Sequence, residues 1–320
     1  MDPSPASRIG ILEESRMLIY RGRLAPSPTG YLHLGHARTF WVAWQRARTA
    51  GGKLVFRNED LDQQRCRSHY VQAMYEDLSW LGLNWDEGPE VGGPFSPYSQ
   101  SQRRDFYLDA WRRLRDRGFI YPCSCSRKDL ERALEAPHDD SDEAPYPGTC
   151  RHKLAVARDF ALPTGVSWRF RVHDLLSHAK TRRVGDPGYG ETVTFDDGYF
   201  GEQRFLSGKE FSDFLVWRRD DIPAYQLGVV ADDAAMQITE VVRGADLLKS
   251  AARQILLFRA LGHQPPRYFH CPLLRDEHDV RLAKRHDALS LRTLREQGAD
   301  PAALRERFAD EIEWNKAASS

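Results

Sequence analysis

Residues 18–36 read LIYRGRLAPSPTGYLHLGH and carry the strongest structural signal in the chain. The alternating apolar residues at 18–25 predict a β-strand, and the periodicity over 35–48 predicts a helix. Two glycines and two histidines therefore lie at a strand-to-helix turn. At such a turn, backbone N–H groups face a ligand, the helix dipole favours phosphate, and Gly35 allows the backbone to approach a base or ribose closely. The turn is a candidate nucleotide site.

A second stretch, RLAKR at residues 281–285, places Lys284 between arginines on a predicted loop. Either stretch alone is weak evidence, because short motifs match by chance and a basic loop is usually a solvated surface. Their order and the strand–turn–helix context strengthen the interpretation. We expect His33, His36 and Gly35 on one side and Lys284 on the other to hold one triphosphate.

The first part of the chain alternates strands with helices. A strand is predicted at 53–57, and helices are predicted at 68–81 and 101–117. This alternation indicates a parallel sheet, in which ligands bind at the carboxyl ends of the strands. Both the histidine turn and Glu59 lie at such ends.

The middle of the chain is rich in Gly, Pro, Asp and Thr, which predicts a small inserted domain over residues 120–202. Its short strands are predicted at 166–172 and 191–195. After it, the large sheet is expected to resume in strands at 214–217, 225–230, 237–242 and 268–273, with a helix at 246–261. A short charged helix is predicted at the end of the chain.

Composition excludes several classes of protein. The chain has 46 basic and 46 acidic residues, so its net charge is zero and a histone-like nucleic-acid coat is not expected. No apolar run is long enough for a membrane span, and residues 1–16 lack the apolar core of a signal peptide. We expect a cytoplasmic monomer without a membrane partner.

Three of the five cysteines, Cys123, Cys125 and Cys150, fall close together, which favours a metal site over a disulfide framework. Soft sulfur ligands in a closed tetrahedral site select zinc, which would then have a structural role. The fourth ligand can be Tyr146, His152 or His138, and His152 is the commoner ligand type. The alternative is three buried free thiols.

Together these residues resemble the class I aminoacyl-tRNA synthetases, and within them the glutamate group. The matching stretches are PSPTG at 26–30, HLGH at 33–36, RNED at 57–60, EVVRGADL at 240–247 and LAKR at 282–285. Two residues depart from the family pattern: Asn58 replaces an apolar residue, and Ala283 replaces a serine that could touch phosphate. The resemblance covers residues 21–285.

The resemblance implies an α/β fold with a Rossmann-like parallel sheet and an inserted α+β domain that holds zinc. The expected segments are a flexible leader (1–17), the first half of the nucleotide-binding domain (18–119), the inserted zinc domain (120–202), the second half with the lysine stretch (203–285) and a C-terminal helical segment without an anticodon-binding domain (286–320). That short ending resembles the glutamyl-Q tRNA(Asp) synthetase family.

Members of that family are ligases that activate glutamate with ATP, without tRNA, and attach it to queuosine in the anticodon of tRNA(Asp). Their zinc pattern, Cys-x-Cys followed by Tyr-x-x-x-Cys, implies Tyr146 rather than His152 as the fourth ligand. Two rival functions remain open. One is a shortened glutamyl-tRNA synthetase that charges the acceptor end, and the other is a non-catalytic tRNA-binding paralogue.

The resemblance also assigns the glutamate pocket. Arg23 and Arg243 would bind the carboxylates with help from Ser27, Glu59 would bind the ammonium group, and Tyr225 would orient it. From residue type alone, the alternative interpretations are a surface-strand arginine for Arg23, a core aromatic for Tyr225 and a helix-capping carboxylate for Glu59. His33 and His36 would donate to the phosphates, Lys284 would cover the pyrophosphate side, and Mg²⁺ would accompany ATP.

An RNA-binding surface is a further expectation, because basic and aromatic residues recur in and after the insertion. The candidates are Arg169, Arg171, Lys180, Arg182, Arg183, Trp217, Arg218 and Arg219. A solvated charged face is the alternative interpretation.

Overall fold

The computed structural model describes residues 19–126, 146–172, 192–274 and 290–310. Its strands are β1 (Arg21–Leu24), β2 (Lys53–Phe56), β3 (Ile120–Cys123), β4 (Ser167–Phe170), β5 (Thr192–Asp197), β6 (Gly201–Leu206), β7 (Leu215–Trp217), β8 (Glu240–Gly244) and β9 (Arg267–Cys271). Its α-helices are α1 (Leu34–Thr49), α2 (Ser68–Trp80), α3 (Arg104–Asp116), α4 (Tyr225–Ala235), α5 (Leu248–Leu261), α6 (Leu291–Glu296) and α7 (Pro301–Asp310). Short 3₁₀ helices occupy Gln100–Gln102, Arg151–Asp159 and Ala245–Leu247.

The predicted strand–turn–helix unit is present as β1 and α1. Strand β1 pairs in parallel with β2, with Arg21 opposite Lys53. Helix α1 begins after His33 and buries an apolar face that includes Ala37, Trp41 and Val42. This crossover places the histidine turn at the carboxyl end of β1, as the sequence predicted.

A four-stranded sheet in the order β6-β5-β9-β8 lies beside the β1–β2 pair. Strands β8 and β9 are parallel, with Arg243 opposite His270. The Thr239 N–H, just before β8, donates to the Arg21 carbonyl at 2.9 Å, so β8 runs next to β1. The carboxyl ends of β1, β2 and β8 therefore meet at one edge.

The strand predicted at 225–230 is wrong, because this segment begins helix α4. Its β-branched residues Val229 and Val230 are typical of a strand, and a short apolar run does not separate a buried strand from a buried helix. In the structure both are buried, and so are Asp232 and Asp233 of the next turn. Burial around most of the helix overrides local β-propensity.

The pairing of two strands differs from their expected assignment. Strand β5, placed in the insertion from the sequence, pairs in parallel with β9 of the large sheet and antiparallel with β6. Strand β7, placed in the large sheet, pairs antiparallel with β4, which also pairs with β3. Pairing partners far apart in sequence leave no local signal, and the boundaries of the inserted domain remain a prediction.

The C-terminal helices close one side of the first βα unit. The Leu291 N–H donates to the Leu32 carbonyl at 2.7 Å, and the Phe308 ring lies 6.2 Å from that of Trp41. Helical structure predicted near the chain end is thus present within residues 290–310, while the leader at 1–17 lies outside the described residues. None of the described helices has the length and apolar character to cross a bilayer.

Candidate active site

The N-terminus of α1 presents the two histidines of the turn. His33 caps the helix, and its Nδ1 accepts the Gly35 N–H at 3.1 Å. An accepting Nδ1 leaves the proton on Nε2, which can then donate to a ligand. The His36 ring stacks on that of His33 with centroids 3.7 Å apart. The two imidazoles therefore form one wall beside the helix N-terminus.

Both imidazoles favour the neutral form. Burial lowers the pKa of His33, opposed by the nearby Asp246 carboxylate. The pKa of His36 is also lowered, first because protein atoms replace water around its ring and second because His33 lies beside it. At neutral pH this wall offers N–H donors without net charge, and the dipole of α1 adds a favourable field for phosphate.

A buried ionic network lies at the carboxyl ends of β1 and β2. The guanidinium of Arg57 donates to Glu59 Oε1 at 2.8 Å and to Asp233 Oδ1 at 2.6 Å. Arg23 lies beside it, with its Nε 3.6 Å from Asp233 Oδ1 and its Nη1 donating to the Val242 carbonyl at 2.9 Å. Because Arg57 takes Oε1, Glu59 Oε2 has no hydrogen-bond partner among the described residues.

Burial raises the pKa of Glu59, and the ion pair with Arg57 opposes that shift. A buried carboxylate with one oxygen unbound suits a cationic ligand, because an ammonium group would supply the missing partner. The Glu59 backbone N–H donates to the Pro26 carbonyl at 3.0 Å. That bond holds the carboxylate next to the loop after β1.

The second arginine of the predicted pocket, Arg243, is held by hydrogen bonds to three residues. In Arg243, Nε donates to His270 Nε2 at 3.0 Å, and Nη1 donates to Gln254 Oε1 at 2.8 Å. The Arg243 Nη2 donates to the Leu247 carbonyl at 3.2 Å. The guanidinium thus has a fixed orientation before any ligand binds.

Tyr225, the first residue of α4, stands near these charges and is 38 % exposed. The pKa of its phenol is raised by partial removal from water, which Arg243 opposes and Glu59 reinforces. Arg23 contributes to the same field. The structure therefore brings together four of the five residues predicted for glutamate: Arg23, Glu59, Tyr225 and Arg243.

The fifth, Ser27, is exposed on the loop after β1, where its carbonyl accepts the Thr29 N–H at 2.8 Å. Its neighbour Pro26 contacts the Glu59 backbone, so the loop borders the pocket. Lys284 and the rest of the 281–285 stretch lie outside the described residues.

Sequence reasoning missed the residues that orient the pocket. Asp233 contacts Arg57 and Arg23, and His270 contacts Arg243. The acidic pair at 232–233 follows the apolar run of α4, and buried carboxylates in that position signal paired arginines. His270 has no local signal, since its role depends on β8 and β9 being neighbours.

Three thiols come together at the end of β3. The Sγ atoms of Cys123, Cys125 and Cys150 all lie within 4.8 Å of one another. The Tyr146 hydroxyl lies 3.4 Å from Cys123 Sγ and 3.6 Å from Cys125 Sγ. His152 is exposed and is not part of this group, while His138 lies outside the described residues. The donor set fits a structural zinc ion.

The thiol cluster is anchored to the β3–β4–β7 sheet. The Tyr146 ring lies under Arg169, whose guanidinium carbon is 3.9 Å from the ring centroid. Asp213, just before β7, accepts hydrogen bonds from Tyr121 at 2.7 Å and from Arg151 at 2.8 Å. This packing suits a site that stabilises the fold.

The expected RNA-binding surface is wrong at two positions. Arg169 is buried with its Nη1 donating to the Asp213 carbonyl, and Trp217 is fully buried. Neither side chain can contact RNA, because tight packing outweighs any surface role. Arg218 pairs with Asp62 and Asp220 at the surface, and residues 180–183 lie outside the described residues.

Known proteins resemble this chain in sequence and in fold. The family described as "tRNA synthetases class I (E and Q), catalytic domain" matches residues 20–310. A relative from Symbiobacterium thermophilum, named glutamyl-Q tRNA(Asp) synthetase, is 47 % identical over 88 % of this chain and 83 % of its own length. A relative of the same name from Nitratidesulfovibrio vulgaris is 46 % identical, with the same shares of both chains covered.

A solved structure is also similar. It is a glutamate tRNA ligase from Elizabethkingia meningosepticum in complex with its amino acid, with a TM-score of 0.71 and 26 % identity. The match covers 91 % of this chain and 60 % of that structure, so this chain spans about three fifths of its length. The likeness supports a shared catalytic fold.

Proposed function

We propose that this chain, which belongs to the class I tRNA synthetases of the glutamate and glutamine group, activates L-glutamate with ATP and transfers it to queuosine in tRNA(Asp). Membership of the family makes the chain a ligase. One observation carries the choice of amino acid: two buried guanidinium groups, Arg23 and Arg243, face one buried carboxylate, Glu59. This charge pattern is complementary to an amino acid with two carboxylates and one ammonium group.

Each end of glutamate has a partner in this proposal. Arg23 and Arg243 bind the carboxylates, which suit the planar fork of a guanidinium. The free Oε2 of Glu59 accepts the ammonium group, and Tyr225 borders it, with Ser27 on the adjoining loop. Glutamine is disfavoured because its amide would leave a guanidinium charge unpaired.

ATP is proposed to bind at the N-terminus of α1. His33 Nε2–H and His36 donate to phosphate oxygens, Gly35 permits close approach of the backbone, and Lys284 binds the pyrophosphate side. ATP would bind together with Mg²⁺. Phosphoryl transfer requires mainly positioning and electrostatic stabilisation, which uncharged donors and a helix dipole supply without a protein nucleophile.

Two steps follow from this arrangement. A carboxylate oxygen of glutamate attacks the α-phosphorus of ATP, forming glutamyl-adenylate as the bond to pyrophosphate breaks. A hydroxyl of the acceptor nucleoside then attacks the carbonyl carbon, forming an ester and releasing AMP. Queuosine as the acceptor is supported by the names of the two relatives that match along 83 % of their length.

The metal part of the proposal is one structural zinc ion held by Cys123, Cys125, Cys150 and Tyr146. Bound zinc would cross-link the segments on either side of residues 127–145. These four side chains already lie together.

The test is ATP–pyrophosphate exchange with purified protein, first without and then with tRNA. We expect exchange with L-glutamate alone and much weaker exchange with L-glutamine or L-aspartate. Labelled glutamate should then appear on tRNA(Asp) that contains queuosine, remain on its anticodon fragment after nuclease cleavage, and be absent from the same tRNA with guanosine. Absence of exchange overturns the activity. Label at the acceptor end overturns the choice of nucleoside.

A further inference from the structure

A chain of buried hydrogen bonds runs behind Arg243. Asp197 Oδ2, at the end of β5, lies 2.6 Å from His270 Nδ1 on β9, and His270 Nε2 accepts the Arg243 Nε–H at 3.0 Å. The three residues are 0–5 % exposed. They link three strands of the large sheet, and the chain ends at a guanidinium of the proposed glutamate pocket.

The two outer partners, Asp197 and Arg243, favour one tautomer of His270, and the Leu247 carbonyl is a further acceptor near the ring. A carboxylate can only accept, and an arginine Nε–H can only donate. His270 therefore carries its proton on Nδ1 and leaves Nε2 unprotonated. Burial lowers the pKa of His270, although Asp197 opposes that shift, so the neutral ring persists at neutral pH.

The Asp197 carboxylate is itself fixed. Its Oδ1 accepts the backbone N–H groups of Tyr199 and Phe200, each at 3.0 Å, and its Oδ2 accepts that of His270 at 3.1 Å. Burial raises the pKa of Asp197, but the hydrogen bonds from His270 and from these backbone groups lower it overall. The hydrogen-bond chain thus begins at the Asp197 carboxylate, which is rigid and ionised.

The remaining contacts of Arg243 decide which donors face the pocket. Gln254 accepts from Nη1, and the Leu247 carbonyl accepts from Nη2. Gln254 is held in turn by donating to Gln226 at 3.0 Å, and Gln226 donates to Ser250 at 3.1 Å. Three of the five N–H groups of the guanidinium are then used, and each terminal nitrogen keeps one with no partner among the described residues.

We propose that Asp197 and His270 are positioning residues that set the rotation of the Arg243 guanidinium, so that its two free N–H groups receive a substrate carboxylate side by side. The proposal rests on the proposed function, which assigns Arg243 to glutamate. A bidentate pair requires both donors in one plane, and the bond from Nε to His270 fixes that plane. Neither residue touches substrate.

Two substitutions of His270 separate positioning from packing. In His270→Asn the short amide reaches only the place of Nδ1, so it can donate to Asp197 but leaves Arg243 Nε–H without an acceptor. In His270→Gln the longer amide places an oxygen near the position of Nε2 and keeps that acceptor. We expect the KM for glutamate to rise roughly tenfold in His270→Asn, with kcat and the KM for ATP within about twofold, and most of the loss to be recovered in His270→Gln.

Asp197→Asn tests the protonation state of the imidazole. The side-chain oxygen must still accept from Tyr199 and Phe200, so the NH₂ group faces His270 Nδ1. His270 then carries its proton on Nε2, so that two N–H donors, His270 Nε2–H and Arg243 Nε–H, face each other without an acceptor. In ¹⁵N-histidine spectra, the His270 signal, assigned by its loss in His270→Gln, should change from the Nδ1–H to the Nε2–H form. The KM for glutamate should rise together with this change.

The matched control is Asp213→Asn, which removes another buried carboxylate that accepts from Tyr121 and Arg151, away from the pocket. It should lower Tm without moving the KM for glutamate. If wild-type protein exchanges pyrophosphate with glutamate but His270→Asn and Asp197→Asn keep its KM, or if His270→Gln is as impaired as His270→Asn, the positioning role is wrong. If wild-type protein shows no exchange, the proposed function fails. An Nε2–H signal for wild-type His270 then rejects the hydrogen-bond chain independently.

Discussion

The imidazole of His33 accepts the Gly35 N–H, so protonation at Nδ1 would break that bond. We expect the NMR titration midpoint of His33 to lie below the ordinary value of about 6.5. Added ATP should raise the midpoint, because bound phosphates stabilise an imidazolium. As a control, the ring signals of the exposed His152, close to Cys150 in sequence, should not shift on addition of ATP. A midpoint above the ordinary value without nucleotide would contradict this description of the site.

Arg243→Ala tests the amino-acid pocket directly. Loss of a charge-assisted bidentate contact should raise the KM for glutamate roughly 10- to 100-fold, while ATP binding stays within about twofold. Pyrophosphate exchange at varied glutamate and ATP concentrations measures both values. Arg48→Ala is the control, since Arg48 forms a surface pair with Asp86 at 2.8 Å. An unchanged KM for glutamate in Arg243→Ala would reject the pocket assignment.

At the residue scale, sequence and structure agree best where motif residues carry chemistry themselves. Glu59 and Arg243 lie within short recognisable stretches, Arg23 lies just before one, and the structure brings the three together. Their buried partners Asp233 and His270 escape notice, because a polar side chain reveals its role only once its neighbours in space are known. The resemblance therefore predicts which groups meet substrate, whereas the sequence holds no signal for the residues that orient them.

At the scale of single elements, helix α4 shows why local patterns mislead. Its apolar run Leu227 to Val230 has strand-like composition, yet it belongs to a helix whose next turn carries the buried acids Asp232 and Asp233. By contrast, α1 is predicted almost to its ends, because its apolar periodicity is clear over residues 35–48.

Helix α2 contains a carboxylate that opposes stability at neutral pH. Asp77 is fully buried, neither oxygen has a hydrogen-bond partner among the described residues, and the nearest cation is Arg295 of α6 at 3.5 Å. Burial raises the pKa of Asp77 to about 6, against about 3.9 in an unfolded chain. The folded state thus favours the protonated acid, and this contribution to stability is lost as pH rises from about 4 through 6.

Asp77→Asn should therefore raise the free energy of unfolding at pH 8 by roughly 1 kcal/mol and leave it unchanged near pH 4. Urea unfolding at both pH values measures the difference. Glu76→Gln, an exposed neighbour that pairs with Arg295 at 3.0 Å, should have little effect at either pH. Equal stabilisation at the two pH values would show that ionisation of Asp77 is not the cause.

The thiol cluster makes a prediction for the elements around β3. Purified protein should contain about one zinc ion per chain, and chelation should speed hydrogen exchange in residues 120–126 and 146–159 while 21–57 stay protected. Cys150→Ser should lose the metal. Cys66→Ser, outside the cluster, should retain it. Elemental analysis that finds no zinc in wild-type protein would reject the site.

At the scale of the whole molecule, Arg57 joins elements distant in sequence. Arg57 directly follows β2, and its guanidinium contacts Asp232 and Asp233 of α4 as well as Glu59. Asp232 also pairs with Arg103 at 2.6 Å. Removing one partner of a buried ionic network leaves the others uncompensated. Arg57→Met should therefore cost about 3–5 kcal/mol in the free energy of unfolding.

Denaturant unfolding measures that loss. Arg48→Met is the matched control, because it makes the same substitution at an arginine of a surface ion pair. It should lower the free energy of unfolding by less than about 1 kcal/mol. If the two variants are equally stable, the network does not hold the sheet and α4 together.

The ionic network around Arg57 depends on contacts between residues far apart in sequence. Such long-range contacts also explain why sequence patterns predict the βα unit at 18–57 better than the partners of β5 and β7.

The position of β5 has a practical consequence for exchanging parts between related enzymes. If the inserted segment is replaced by that of a related enzyme and the second junction lies before Thr192, the recipient retains its own Asp197. The pocket arginine then keeps its orientation. A second junction at 202 would remove the recipient's own Asp197 together with the replaced segment. Affinity for the amino acid would then fall although every residue in direct reach of it had been left untouched.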